Sequence, residues 1–411
     1  MTAHMRLGFY APETEDELSQ LVIQAAESRT PLEIMGKGTK RELGHVVRAG
    51  AIVSTENMKG ISLYEPTELV VVAKAGTPLT EIEAALAEND QELACEPVDL
   101  APVLGYSPGD GTFGGLVASN ISGSRRILKG AVRDHVLGLT AVNGRGEIVK
   151  SGGRVMKNVT GYDVARTLVG SWGTLAVMCE IAMKVQPAQR DTRTLIFYGL
   201  ADYAAVEALC LAMGTPYEVS GTVHLQGPLA ARLSDTELAG NGSALTAIRV
   251  ESFPASARYR TSRLRQALLA YDPSVELESE RSRAFWRDIR SLKVFQDTKY
   301  PLWRVSTSPS KAATLVSNLA RKIDVRVAYD WSGGLMWIET PSLTDAAAVD
   351  IRRQLAEFGG HATLMRADKT IRDGTDVFQP LERPHDALAA KLKHAFDPMG
   401  LFNPGRIYRQ M

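Results

Sequence analysis

Gly109-Asp110-Gly111-Thr112-Phe113-Gly114-Gly115 sits inside the glycine-richest part of the chain, Gly105 to Gly130, where Gly123 and Gly130 follow among small polar residues. Glycine lets backbone N–H groups close on an anion and reach positive φ with no side chain in the way. A second cluster, Gly36-Lys37-Gly38-Thr39-Lys40, follows the run Pro31-Leu32-Glu33-Ile34-Met35, which reads as a strand. Two such loops can clasp one pyrophosphate from two sides; the first alone reads equally as an ordinary turn, whereas the glycine density of the second makes simple turns a poorer reading. Neither is a Walker A loop, because G-x-x-x-x-G-K-[ST] is absent, and Gly36 to Lys40 does not open the helix of a βαβ unit. That argues against an NTPase and against a dinucleotide Rossmann fold.

Outward from these loops the order is α+β. A helix is expected near Glu15 to Ser28, with Thr14 and Glu17 as capping box and Leu18, Leu21, Val22 and Ala25 on one stripe. Short strands follow at Ala51-Val53, Ile61-Tyr64 and Leu69-Ala73, then a helix over about Pro78 to Glu88 capped by Thr77. Past the glycine stretch, Val136 to Val142 and Glu147 to Lys150 make a hairpin through Asn143-Gly144-Arg145-Gly146. A short helix Gly161 to Leu168 and a strand Thr174 to Val185 complete this block. The character changes near residue 190. From there β-α-β-β-α-β signals run twice, through Leu195-Tyr198 to Val275-Leu277 and through Trp303-Ser306 to His361-Arg366, which predicts a pair of ferredoxin-like halves. The chain thus divides into residues 1–190, 191–375 and a helix and tail at 376–411 that is expected to return to the first domain, its Pro/Gly punctuation suggesting a pinned segment.

Composition narrows the function. The 411 residues are 45% apolar, which calls for a large buried core. Lys+Arg and Asp+Glu both number 47, so no global charge draws the molecule to nucleic acid or to an anionic membrane. The cysteines Cys95, Cys179 and Cys210 are too scattered for a disulfide framework or an iron-sulfur site, and a reducing cytoplasm fits them. Cys179, in a strand-like run, reads as core. Seven separated histidines show no HExxH spacing, so no metal is expected, and no G-x-S-x-G elbow is present. The chain has nothing near the roughly 18 consecutive apolar residues of a spanning helix. Its opening Met1 to Arg6 has no signal-peptide character.

Read in order, several stretches resemble one family. Pro31 to Lys40, Pro66-Thr67-Glu68-Leu69-Val70, Ala75-Gly76-Thr77-Pro78-Leu79 and Gly111 to Ala118 look like the FAD-binding domain of the vanillyl-alcohol-oxidase/PCMH superfamily. Gly123-x-Arg125-Arg126, Gly130 to Gly138, Gly152 to Asp163 and Gly170 to Leu175 are similar to the E subunits of bacterial glycolate oxidase. So are Leu302-Trp303-Arg304, Asp330-Trp331-x-Gly333-Gly334, Gly359 to Thr363 and Phe402-Asn403-Pro404-Gly405-Arg406-x-Tyr408. The resemblance spans nearly the whole chain, with about 200 to 280 its least familiar part. It implies a two-part PCMH-type FAD-binding domain followed by an α+β cap.

The same resemblance assigns roles. Gly36, Lys37, Gly38, Thr39 and Lys40 with Gly109, Gly111, Thr112, Gly114 and Gly115 would hold the FAD pyrophosphate. Asn120, Ser122 and Gly123 would run along the ribityl chain, and Gly173, Thr174 and Val177 would meet the cofactor from the domain's last strand. Members that attach FAD covalently commonly carry a histidine in the first loop, so Gly38-Thr39-Lys40 implies non-covalent FAD. One departure stands out. Where hydroxy-acid dehydrogenases of the superfamily carry a histidine-rich cap stretch, this chain reads Asp330-Trp331-Ser332-Gly333-Gly334-Leu335-Met336-Trp337. Arg304 and Arg366 remain as candidates to pair with a substrate carboxylate, a structural ion pair being the competing reading. No catalytic base is assigned.

The implied protein is a FAD-dependent oxidoreductase subunit in a glycolate-to-glyoxylate complex. It would relay electrons or support assembly beside a D-type flavin subunit that oxidises the small 2-hydroxy acid and an iron-sulfur subunit. Its place would be cytoplasmic, at most peripheral at the inner face of the membrane through partners, with no nucleic acid bound. The alternatives are a free-standing FAD-dependent 2-hydroxy-acid oxidoreductase and a scaffold with a vestigial flavin site.

Overall fold

A computed structural model of the chain describes residues 8–154 and 162–411. Met1 to Arg6, the central part of the Gly152 to Asp163 motif and the expected helix start at Gly161 lie outside the described residues. The chain forms two compact units. One comprises residues 1–122, 130–188 and 380–411, and the other comprises 123–129 and 189–379.

The first unit contains two main sheets, the α+β arrangement expected of a two-part flavin domain. Its helix Glu15–Ser28 begins where Thr14 accepts a hydrogen bond from the amide of Glu17, at 3.2 Å. Glu17 reaches back to the amide of Glu13 at 2.8 Å rather than to that of Thr14, so the capping box is only half formed. Leu18, Val22 and Ala25 bury one stripe of the helix. They pack on the parallel sheet Phe9–Tyr10, Ala51–Ser54, Leu32–Met35 and on Val142, Val177 and Cys179 from the second sheet. That second sheet is antiparallel, in the order Ile61–Glu65, Val70–Lys74, Ala176–Lys184, Val136–Asn143, Ile148–Gly152. The 143–146 turn joins its last pair, as the hairpin reading requires.

Two details of this unit correct the sequence reading. Helix Leu79–Ala87 has Pro78 at its cap, because the Thr77 hydroxyl is spent on the carbonyls of Lys74 and Gly60 at 2.7 and 3.2 Å. The glycine loop itself turns into a helix, Phe113–Ser119, capped by the Thr112 hydroxyl on the amide of Gly115 at 3.2 Å.

The second unit is built on one eight-stranded sheet. Its order is Ser274–Glu278, Asp191–Tyr198, Leu245–Ser252, Val219–Leu225, Arg326–Asp330, Leu335–Glu339, Leu302–Ser306, His361–Arg366. Numbering the strands of each half along the chain gives 4-1-3-2 followed by 2-3-1-4, so both halves have ferredoxin-like order and join through their second strands. Helices Asp202–Met213, Pro254–Ala267, Pro309–Ala320 and Ala348–Phe358 contribute to two apolar cores with this sheet. Helix Ser279–Arg290, absent from the sequence reading, contacts Asp191–Tyr198 through a Trp286 indole that donates to the Thr194 hydroxyl at 2.8 Å.

Candidate functional site

The strand Leu32–Met35 stops at Gly36 because the chain must pass close to the second glycine loop. A Cβ on Gly36 would stand 2.5 Å from the Thr112 hydroxyl oxygen. One on Gly114 would stand 2.9 Å from the Ala75 carbonyl oxygen. The two loops are also tied by charge, with Lys37 Nζ 3.6 Å from Asp110 Oδ1. Between them opens a cleft of about 690 Å³, partly open to solvent, belonging wholly to the first unit.

Gly36, Lys37, Gly38, Thr39, Lys40, Thr112, Gly114, Gly115, Gly173 and Val177 line this cleft. Gly109 and Gly111 stand outside its lining. The amide of Gly109 donates to Asp99 Oδ2 at 2.9 Å, and Gly111 accepts from the amide of Leu79 at 3.0 Å, so both shape the loop from behind. Asn120 ends the short helix in the left-handed region and accepts from the amide of Arg133, while Ser122 accepts from Val132. Gly123 belongs to the second unit, where its carbonyl takes the Trp331 indole N–H at 3.0 Å. Thr174 bonds its hydroxyl to Ser171 and its carbonyl to Lys393.

The cleft's electrostatics suit an anion. Lys40 Nζ lies on the Gly115 side, about where a Gly115 Cβ would touch it, at 3.5 Å. Burial pushes its pKa down to about 8, Asp99 opposing this and Arg406 adding to it. Among the described residues, no backbone hydrogen bond engages the amide N–H groups of Gly38, Thr39 or Lys40. Unused donors beside a desolvated ammonium fit a pyrophosphate. Arg41 is less available, its guanidinium gripping Glu33 at 2.7 and 2.6 Å.

The sequence reading returned the C-terminal tail to the first domain but missed the side chains that the tail brings to the cleft. Arg406 lines the cleft and donates to the Lys40 carbonyl at 2.6 Å. Asn403 accepts from the amide of Ile34 at 2.9 Å and donates to the Trp172 carbonyl at 2.8 Å, clamping two walls together. Buried Lys393 holds the base of the tail through the Thr174 and Phe402 carbonyls and Asp397. The Asn-Pro-Gly-Arg run was visible as punctuation, but nothing local to it signals a cleft far upstream.

Of the two weaker candidates, Arg366 is committed to structure. It donates to the Tyr300 and Phe295 carbonyls at 2.8 and 2.7 Å and lies 3.8 Å from buried Glu339. Arg304 lies over the Trp331 ring, 5.2 Å from its centroid. Cys95 and Cys179 are buried and Cys210 is exposed, and burial pushes the Cys179 thiol up to about 12.

Comparison with known proteins places this two-sheet unit and its glycine-walled cationic cleft among the FAD-linked oxidoreductases. Residues 7–152 match the family described as FAD binding domain. Glycolate oxidase subunit GlcE of Escherichia coli (strain K12) is 34% identical over 395 residues, covering 96% of this chain and 97% of that one. The chain belongs to this GlcE family. Glycolate oxidase subunit GlcD of Bacillus subtilis (strain 168) is 23% identical over 97% of this chain and 88% of its own. The fold is shared with 4-ethylphenol oxidase from Gulosibacter chungangensis, at a TM-score of 0.69 and 16% identity over 99% of this chain and 91% of that one.

Proposed function

We propose that this chain is the FAD-holding, electron-relaying subunit of a glycolate oxidase. In this reading it works beside a D-type flavin subunit that oxidises the 2-hydroxy acid and an iron-sulfur subunit that carries electrons away. Oxidation of glycolate to glyoxylate removes two electrons and two protons. FAD supplies the means to take electrons as a pair and release them singly.

The observation that carries the reading is the cleft. Gly38, Thr39 and Lys40 present amides and an ammonium to the pyrophosphate, Thr112 and Gly114 keep the second loop close, and Arg406 braces Lys40 from behind. The division of labour we infer gives FAD-holding to residues 1–190 with 376–411, and a cap role to 191–375. Three separated thiols supply no cluster, so carriers beyond the flavin come from another chain. Among the described residues, the cleft lining has no histidine, cysteine or tyrosine, which supports non-covalent FAD. Acid precipitation should release the yellow colour to the supernatant, and colour held in the pellet would overturn that point.

Anaerobic mixing of the purified chain with glycolate tests the relay. Bleaching is expected only when the D-type partner is added, and rapid bleaching of the chain alone would replace this reading with a free-standing oxidoreductase. A colourless protein that FAD cannot reconstitute would replace it with a scaffold.

A further inference from the structure

The second glycine loop reaches the cleft at the end of an excursion that runs from Asp99 to Gly109, and one side chain closes it. Asp99 Oδ1 accepts from the amide of Ala101 at 3.1 Å, and Oδ2 accepts from the amide of Gly109 at 2.9 Å. Between those ends lies the single-turn helix Pro102–Leu104, whose hydrogen bonds stay local, from Leu104 to Leu100 and Ala101, from Gly105 to Pro102 and from Tyr106 to Ala101. Among the described residues no backbone hydrogen bond joins 107–110 to 98–101, so the carboxylate is the clasp. Gly109 has little room to settle elsewhere, because it sits at a φ of 78° and a Cβ on it would stand 2.9 Å from Thr80 Cγ2. It leads directly into Asp110, Gly111 and Thr112, and Thr112 lines the cleft.

Acids beside an anion site need a reason, because each repels the phosphates that amides and lysines attract. Here each acid of the second loop answers a lysine of the first. Asp110 Oδ1 lies 3.6 Å from Lys37 Nζ, but both side chains are about two-fifths exposed and water screens the pair. Asp99 is the acid whose attraction opposes the desolvation of Lys40. The other charges around Lys40 give it no such support. Arg406, on the tail, pushes the same way as burial, and Arg41, next in the chain, spends its guanidinium on Glu33. Lys37 is occupied by Asp110.

We propose that Asp99 is a positioning residue of the cofactor cleft, its two oxygens holding the second glycine loop in place and its charge keeping Lys40 an ammonium for the pyrophosphate. Asp99 touches no phosphate itself, since both oxygens are turned to amides of its own excursion. This rests on the FAD reading of the cleft and adds to it the residue that sets the pH range over which the cofactor is held. A purely structural Asp99 would affect how tightly the cofactor binds and leave that range alone.

Calorimetric titration of the cofactor-free full chain with FAD and with ADP-ribose, from about pH 6 to about pH 10, is the test. ADP-ribose carries the adenosine and pyrophosphate of FAD without the flavin, and its phosphates do not titrate in that range. In the parent both affinities should begin to fall near pH 8, where Lys40 loses its proton. Asp99→Asn removes the opposite charge and lowers the Lys40 pKa, so the fall should begin about one pH unit lower. Asp99→Glu keeps the charge but not the reach, so it should leave the onset where it is and weaken binding at every pH, about tenfold for a lost charge-assisted contact. A Lys40→Met chain should show no onset, with or without Asp99→Asn. Asp99 is half-buried and lies outside the apolar cores, so the neutral variant is expected to fold, and Asp99→Ser makes the same neutralisation with a smaller side chain. The proposal is overturned if the neutral variant keeps the parent's onset, or if Asp99→Glu moves it as far. A chain that binds ADP-ribose but not FAD sinks the flavin reading and leaves the test of Asp99 intact, whereas one that binds neither overturns both.

Discussion

Lys40 shows how one side chain ties the cofactor to proton balance. Its unfolded reference is 10.5, and burial brings it to about 8 in the folded chain. Between those values the unfolded chain keeps a proton that the folded one has lost, so the stability of the FAD-free protein should rise with pH through that window. Phosphate oxygens favour the protonated amine, so FAD affinity should fall above pH 8, approaching about tenfold per pH unit. Equilibrium dialysis from about pH 7 to about pH 9.5 reads this, and a flat profile would remove Lys40 from the cradle. Gly36 makes a second prediction at this scale. Gly36→Ala drives a methyl group into a Thr112 side chain that cannot retreat, because its hydroxyl caps the Phe113–Ser119 helix. Overpacking of this kind costs about 1–3 kcal/mol, and the variant should purify with substoichiometric FAD and a lowered melting temperature.

At the level of elements, the tail is the piece whose removal should matter most. Asn403 is fully buried and bonds both Ile34 and Trp172, so Asn403→Ala orphans an amide and a carbonyl at the mouth of the cleft. Each such group costs about 1–3 kcal/mol. A urea titration followed by flavin fluorescence should show FAD leaving at a lower midpoint than in the parent. What the sequence reveals about elements follows from where their stability originates. Glu15–Ser28 and the strands of the eight-stranded sheet carry their own periodicity and caps, and their positions are legible. Helix Phe113–Ser119 contains Gly114 and Gly115, each costing about 1 kcal/mol in a helix, and it forms because Gly114 must lie against Ala75. Helix Ser279–Arg290 buries Ser282 as well as Phe285 and Trp286, and its polar partner Thr194 lies on a distant strand. No local pattern announces the first, whereas the second carries one in the helical spacing of Ser282, Phe285 and Trp286 that the sequence reading passed over.

Across the molecule, the cofactor is expected to act as a stabiliser. A ligand that binds only the folded state at a hundred times its dissociation constant adds about 2.7 kcal/mol. Denaturant midpoints with and without added FAD should differ accordingly, and Lys40→Met should shrink the difference at neutral pH. The glycine loops that wall the cleft were legible because close approach of backbone to its neighbours leaves a compositional mark. Arg406 and Asn403 were not, since a returning tail can be expected from the sequence while the side chains it lays against the cleft are defined only in the assembled fold. That return has a consequence for biosynthesis. Ile34, Trp172 and the glycine loops leave the ribosome with residues 189–379 still to be made, and Asn403 comes only afterwards. A nascent chain therefore displays the cleft unfastened, and tight flavin capture is expected only once the tail has been made.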